Sequence, residues 1–159
     1  MTVPGARIDG VHVKELVTHP DERGFFREVI RVTDPWFNPG FGQWSHSSMV
    51  QGVIKAWHEH RIQTDYWYVC AGLLRIGLWD RREQSPTRGR TMDFLRGEGL
   101  PGMVLKIPPG VAHGCKVLRA PAHLVYMTTH TYNPADELRI PLDAPESGFD
   151  WLNETARGF

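Results

Sequence analysis

Glycine and proline punctuate the whole of this 159-residue chain, 16 of one and 12 of the other, and leave only short runs between them. The runs at residues 11–17, 24–32, 66–71, 73–79, 103–107 and 123–132 are β-rich in composition. Short strands separated by frequent turn signals make a sandwich or a barrel. No stretch carries sustained helical periodicity, and residues 34–37 and 134–138 have room for a turn or two at most. The charged, turn-rich segment DRREQSPTRG at 80–89 reads as an exposed hairpin loop. The expected fold is all-β, one domain over residues 1–159, long enough to bury a core without disulfide staples.

Lysine plus arginine number 18 and aspartate plus glutamate number 18, so the formal net charge is zero. No global field attracts nucleic acid or an anionic membrane, and any basic residue that matters acts locally. No apolar run approaches the roughly 20 residues that span a bilayer, and residues 1–10 lack a stretch of signal length. Cys70 and Cys115 sit in apolar strand-like runs, where buried thiols in a reducing cytoplasm are the expectation. The chain therefore reads as soluble and unexported.

Two motifs carry the chemistry. From Gly52 the sequence runs GVIKAWHEHRIQTDYWYVCAG to Gly72, placing His58, His60 and Asp65 between the two glycines. Residues i and i+2 of a strand share a face, so His58 and His60 project together and a carboxylate on the next strand can meet them. From Gly102 the run GMVLKIPPGVAH shapes a Pro-Gly turn and then delivers a third imidazole, His113. These stretches resemble the paired motifs of the cupin superfamily, which implies a jelly-roll β-sandwich or barrel with the site inside it. They depart from the motifs in two places, with Asp65 for the usual glutamate and Val117 for the closing asparagine.

A broader resemblance covers nearly the whole chain. DERGFFRE at 21–28, the strand beginning at Gln43, Lys55 to His58, the run 111–117, the strand around Tyr126, the Tyr132-Asn133-Pro134 turn, and Asp143 with Gly148 to Trp151 follow the order of landmarks in the dTDP-4-dehydrorhamnose 3,5-epimerase family. The resemblance implies a nucleotide-sugar epimerase or isomerase acting beside a C4 ketone. It makes His58 the base, Asp143 the carboxylate that orients it, and Tyr126 the acid. Arg23 and Glu28 would contact the nucleotide diphosphate and sugar, and Gln43, Lys55 and Tyr132 would line the substrate pocket. It also implies a homodimer, because the 21–28 segment takes part in the family's dimer.

Three departures set this chain apart from that family. Asp65 falls where the family has an enolate-stabilising lysine, and a carboxylate there reverses the electrostatics. Lys55 replaces an arginine, and His60 is additional. Together they complete a His58, His60, Asp65, His113 constellation suited to Fe, Mn, Ni, Zn or Co, with no organic cofactor implied. Two other readings stay open at this point: a metal-dependent cupin oxygenase or lyase on a small carbonyl compound, and a non-catalytic sugar-binding cupin.

Overall fold

The computed structural model describes residues 8–37 and 40–153. Its strands are β1 (His12–Glu15), β2 (His19–Asp21), β3 (Gly24–Phe26), β4 (Gln43–Met49), β5 (Ile54–His60), β6 (Asp65–Asp80), β7 (Thr91–Gly97), β8 (Met103–Ile107), β9 (Val111–Thr128) and β10 (Glu137–Arg139). Helix among the described residues is confined to one short 3₁₀ turn, Pro145–Ser147. No described helix is long and apolar enough to cross a membrane.

Two long antiparallel strands organise everything else. β6 and β9 pair from Asp65 against Thr128 to Asp80 against Val111, with register shifts between Val69 and Leu74. On one side of these shifts β6 takes β8 and then β1 as neighbours, while β9 takes β4. On the other side β6 takes β7, and β9 takes β5 and then β10. One folded pair of strands thus serves two sheets, the jelly-roll arrangement expected of an all-β cupin chain.

The shift region depends on Gly72. Its φ is +71°, and a Cβ there would sit 2.5 Å from the backbone oxygens of both Arg119 and Pro121. The sequence reading treated this glycine as a break between strands at 66–71 and 73–79. In the structure it is a bulge inside one continuous strand, which is a common use of glycine in β-structure.

Packing follows the alternation of side chains. In β4, Gln43, Ser45, Ser47 and Met49 turn inward, while Trp44, His46 and Ser48 are exposed, as in a strand with one solvated face. Leu74, Ile76, Leu78, Phe94, Leu105, Ile107 and Val117 fill the core. A second cluster, Trp57, Trp79, Ala112 and Trp151, closes the outer face of β5. The bidentate Arg75–Asp93 pair ties β6 to β7, and Arg75 also donates to the carbonyl of Asp150 at 2.6 Å, which pins the C-terminal segment. The expected strand at 24–32 ends at Phe26, and the 80–89 loop joins β6 to β7 as a turn. Cys115 is buried as expected, but Cys70 is exposed, because it lies on the outward face where the strand pairing shifts.

Alanine at two positive-φ glycines separates these effects. Gly52 has φ +77° and nothing within 4 Å of a built Cβ. Gly52→Ala should therefore cost only the left-handed strain, about 1–2 kcal/mol. Gly72→Ala should cost that plus about 1–3 kcal/mol of overpacking against backbone. Urea denaturation of the two variants checks the order, and equal losses would remove Gly72 as the pivot of the fold.

Candidate active site

The inward faces of both sheets enclose a cavity of about 260 Å³. It is lined by Gln43, Lys55, His58, His60, Asp65, His113, Tyr126 and Tyr132, all eight of them anticipated from the sequence, and by Glu137, which was not. Lys55 and His58 both line it although they are three residues apart, an odd spacing that strict alternation forbids. The register shift between them on β5 resolves the conflict. Gly114 makes room for this, since a Cβ there would lie 2.4 Å from the Ala56 Cβ.

His58 is held by a carboxylate, and that carboxylate is Glu137. Its Nδ1 lies 2.7 Å from Glu137 Oε1. Burial works to raise the Glu137 carboxyl, but the His58 hydrogen bond and the charges of His58 and Arg139 outweigh it and hold it below the usual carboxylate range. An ionised carboxylate only accepts hydrogen bonds, so Nδ1 is the donor, and in the neutral form of the ring the lone pair is then on Nε2. The Asp143 assignment is corrected: that residue is exposed and lines a separate cleft with Trp79, Arg81 and Glu146. The structure prefers Glu137 because β10 pairs directly with β5, setting Glu137 opposite His60 and Arg139 opposite His58.

His60, Asp65 and His113 form a second group, with one ligand-type atom from each lying within 4.8 Å of the others. His58, expected as a fourth member, stands outside it, because the ligand-type atoms that lie within 4.8 Å of one another come from the other three residues alone. Asp65 also has partners that the sequence did not suggest: Gln63 Nε2 donates to Oδ1 at 2.7 Å and Trp67 Nε1 donates to Oδ2 at 3.1 Å. His113 Nδ1 bonds the Val111 carbonyl at 3.0 Å. Burial pushes His113 down to about 4 despite the opposing charge of Asp65, so the ring is neutral near pH 7.

Two more groups complete the lining. Tyr126, on the β9 segment paired with β4, is half-buried, and its hydroxyl has no hydrogen-bond partner among the described residues. Lys55 is the only lysine or arginine among the described lining residues, its Nζ 3.0 Å from Ser47 Oγ. Cys115 also lines the cavity, but burial pushes its thiol up to about 12, which removes it as a nucleophile.

Arg23 and Glu28 do not line this cavity. Arg23 sits in the exposed β2–β3 turn beside Asp21, and Glu28 pairs with Arg31 in a shallow cleft with Lys14 and Asp34.

The chain matches the family model described as dTDP-4-dehydrorhamnose 3,5-epimerase over residues 5–157. It is 47% identical over 150 residues to a spore coat polysaccharide biosynthesis protein of Bacillus subtilis, covering 92% of this chain and 98% of that one. A probable low-salt glycan biosynthesis epimerase of Haloferax volcanii is 33% identical over 151 residues, covering 92% and 96% of the two chains. Among solved structures, a dTDP sugar isomerase of Desulfovibrio desulfuricans superimposes with a TM-score of 0.85 at 30% identity, covering 94% of this chain and 95% of that one. The Legionella pneumophila dTDP-6-deoxy-D-glucose-3,5-epimerase, solved with dTDP-4-keto-L-rhamnose, gives 0.84 at 29% identity, covering 95% and 81%. These relatives favour the epimerase reading over a metal-dependent oxygenase or lyase.

The Glu137 assignment predicts a specific pattern. Glu137→Gln removes the ionised acceptor and should lower kcat by about 10²–10⁴-fold, the range of a positioned general base, while Asp143→Asn leaves it at the parent's level. Because the Glu137 carboxyl is lowered on folding, its bond stabilises the fold above the free carboxyl's range and is lost as pH falls through the lowered value. Glu137→Gln should therefore flatten the acid limb of thermal stability. Equal activity losses in the two variants would return the dyad to Asp143.

Proposed function

The chain belongs to the dTDP-4-dehydrorhamnose 3,5-epimerase family, and on that premise we propose that it epimerises a dTDP-linked 4-keto-6-deoxyhexose by moving protons at the carbons beside the C4 ketone. The observation that carries this reading is the His58 Nδ1 to Glu137 bond at 2.7 Å, which leaves a basic nitrogen in a sugar-sized cavity. The ketone acidifies its neighbouring C–H bonds. His58 Nε2 accepts such a proton, the carbonyl oxygen takes up the electron pair, and the imidazolium that forms is stabilised by Glu137. Tyr126, from a strand segment of the other sheet, returns a proton from its hydroxyl and inverts the carbon.

A cavity of about 260 Å³ lies just under the roughly 300–1,000 Å³ of common ligand pockets, which suits the sugar and leaves the nucleotide at the mouth. Gln43 and Tyr132 fit that mouth, since the Gln43 side-chain oxygen accepts the Tyr132 N–H at 3.1 Å. Lys55 supplies positive charge toward the substrate, as a point charge rather than a planar fork.

The homodimer belongs to the same proposal. Arg23, Phe25 and Phe26 are exposed on the β2–β3 hairpin, and an apolar groove lined by Val29, Ile30, Phe41, Trp44 and Met127 runs along the outer face of the β4 sheet. A second copy seated there covers the groove and can bring its hairpin to the neighbouring mouth, where an arginine suits diphosphate oxygens. Both cysteines are free, which fits a cytoplasmic setting.

Purified protein incubated with dTDP-4-keto-6-deoxyglucose should yield an epimerised sugar, detectable by NMR. His58→Asn should abolish product, and Tyr126→Phe should allow proton removal while blocking completion. Arg23→Ala should raise KM more than Arg23→Lys does, and light scattering should report a dimer. Unchanged turnover in His58→Asn would refute the proposal.

A further inference from the structure

Asp65 and Asp136 are buried carboxylates, 4% and 7% exposed, and no lysine or arginine pairs with either among the described residues. Each instead faces imidazoles. His113 Nε2 is 3.7 Å from Asp65 Oδ2, His60 Nε2 is 4.0 Å from Asp65 Oδ1, and His60 Nδ1 is 3.7 Å from Asp136 Oδ2. These gaps are too long for direct hydrogen bonds, yet the groups point at one another.

The outward-facing atoms explain the arrangement. His113 donates Nδ1–H to the Val111 carbonyl, so in the neutral ring its Nε2 is a lone pair directed at Asp65. His60 turns Nδ1 toward Asp136, whose carboxylate is fixed by the backbone N–H groups of Arg61, Ile62 and Gln63 at 2.9, 2.9 and 3.2 Å, and so also turns Nε2 toward Asp65. Asp65 itself is oriented by Gln63 and Trp67. Asp65 and the neutral His113 ring therefore present acceptors to the same space that His60 Nε2 faces; hydrogen bonds brace Asp65 and His113 from behind, and the Asp136 carboxylate stands behind His60 at 3.7 Å, where the supporting partners of metal ligands stand. Convergence of acceptors is repulsive unless something positive lies between them.

We propose that His60 Nε2, His113 Nε2 and the Asp65 carboxylate bind a divalent first-row transition metal, with His58 excluded from the site and kept as base. Tetrahedral bonds of about 2.0–2.2 Å set ligand atoms about 3.3–3.6 Å apart, so the imidazole–carboxylate gaps of 3.7 and 4.0 Å close by a few tenths of an ångström, and the three atoms, now within 4.8 Å of one another, draw in around the ion. Two imidazoles and one carboxylate leave coordination positions open, and a bound ion supplies Lewis acidity beside the sugar pocket. The ion restores positive charge at the place where the family resemblance puts a lysine and this chain has Asp65. The site is independent of the epimerase reading, because its ligands are not the His58–Glu137 pair.

The competing arrangement is a metal-free cluster in which a proton on one imidazole supplies the charge. The test uses untagged full-length protein purified without chelator, analysed for metals by inductively coupled plasma mass spectrometry. The proposal expects about one ion per chain, a lower thermal midpoint after dipicolinate treatment, and recovery on adding back the same ion. Asp65→Asn, nearly isosteric and checked for folding by circular dichroism, should lose the ion, and His60→Gln serves as a second variant. His46→Ala, which breaks the exposed His46–His123 pair, should keep it.

A parent with far less than one ion per chain and no gain in midpoint from Zn, Fe, Mn, Co or Ni overturns the site. So does metal that survives Asp65→Asn and disappears in His46→Ala. Metal content and midpoint are read without substrate, so a metal-free but active epimerase would sink this inference alone, and a loaded but inactive protein would sink only the epimerase.

Discussion

The continuous pairing of β6 with β9 is the constraint from which the rest of the structure follows. The two strands stay together on both sides of the register shifts between Val69 and Leu74, and each half recruits its own neighbours. That geometry turns His113 and Tyr126, thirteen residues apart on a single strand, toward one cavity from two different sheets. It also delivers Asp65 at the start of β6 beside the end of β5, where His58 and His60 lie. The backbone approach that permits this is close enough at Gly72 that any side chain there would meet carbonyl oxygens. Sheet architecture and site assembly are therefore one problem in this chain.

Inside the cavity, electrostatics sorts the titratable groups into two sets with different work. Glu137 and His58 form a directed donor–acceptor pair, in which an ionised carboxylate fixes the tautomer of its imidazole. Asp65, His60 and His113 form a converging set in which Asp65 and His113 are braced by hydrogen bonds and His60 faces Asp136 on its far side. The separation answers the conflict that the motifs raise on their own. A histidine cannot be both a free base and a metal ligand, and His58 lies outside the converging set, paired instead with the Glu137 that β10 brings to it by pairing with β5. Asp65, which taken alone would oppose an enolate, becomes compatible with isomerase chemistry once a cation is held beside it.

Much of this was legible because strand alternation is a strong local rule. The His58-x-His60 spacing, the Asp65 strand and the Pro-Gly turn before His113 are read directly from neighbours in sequence, and the structure gathers all four residues in the cavity. What was not legible depends on contacts between distant segments. Glu137 has no local feature that marks it over Asp143, and only the β5–β10 pairing decides between them. Asp136 was missed for the same reason, since its partners are backbone amides of residues 61–63. The adjacent acidic pair Asp136-Glu137, so soon after the Tyr132-Asn133-Pro134 turn, was the one available signal. Arg23 and Glu28 were placed by resemblance alone, which fixes residue types but not which copy of the chain they serve. Cys70 went wrong because a register shift reverses which face is buried, and composition does not record a shift.

The central claim is that Glu137 holds His58 as the tautomer with its proton on Nδ1 and its lone pair on Nε2. Nitrogen-15 NMR of histidine-labelled protein, with His58 assigned by comparison with His58→Asn, reads that tautomer directly at neutral pH. The account predicts a protonated Nδ1 and an unprotonated Nε2 in the parent, with that preference lost in Glu137→Gln. A His58 that carries its proton on Nε2 in the parent, or that keeps the Nδ1 proton regardless of Glu137, would contradict it.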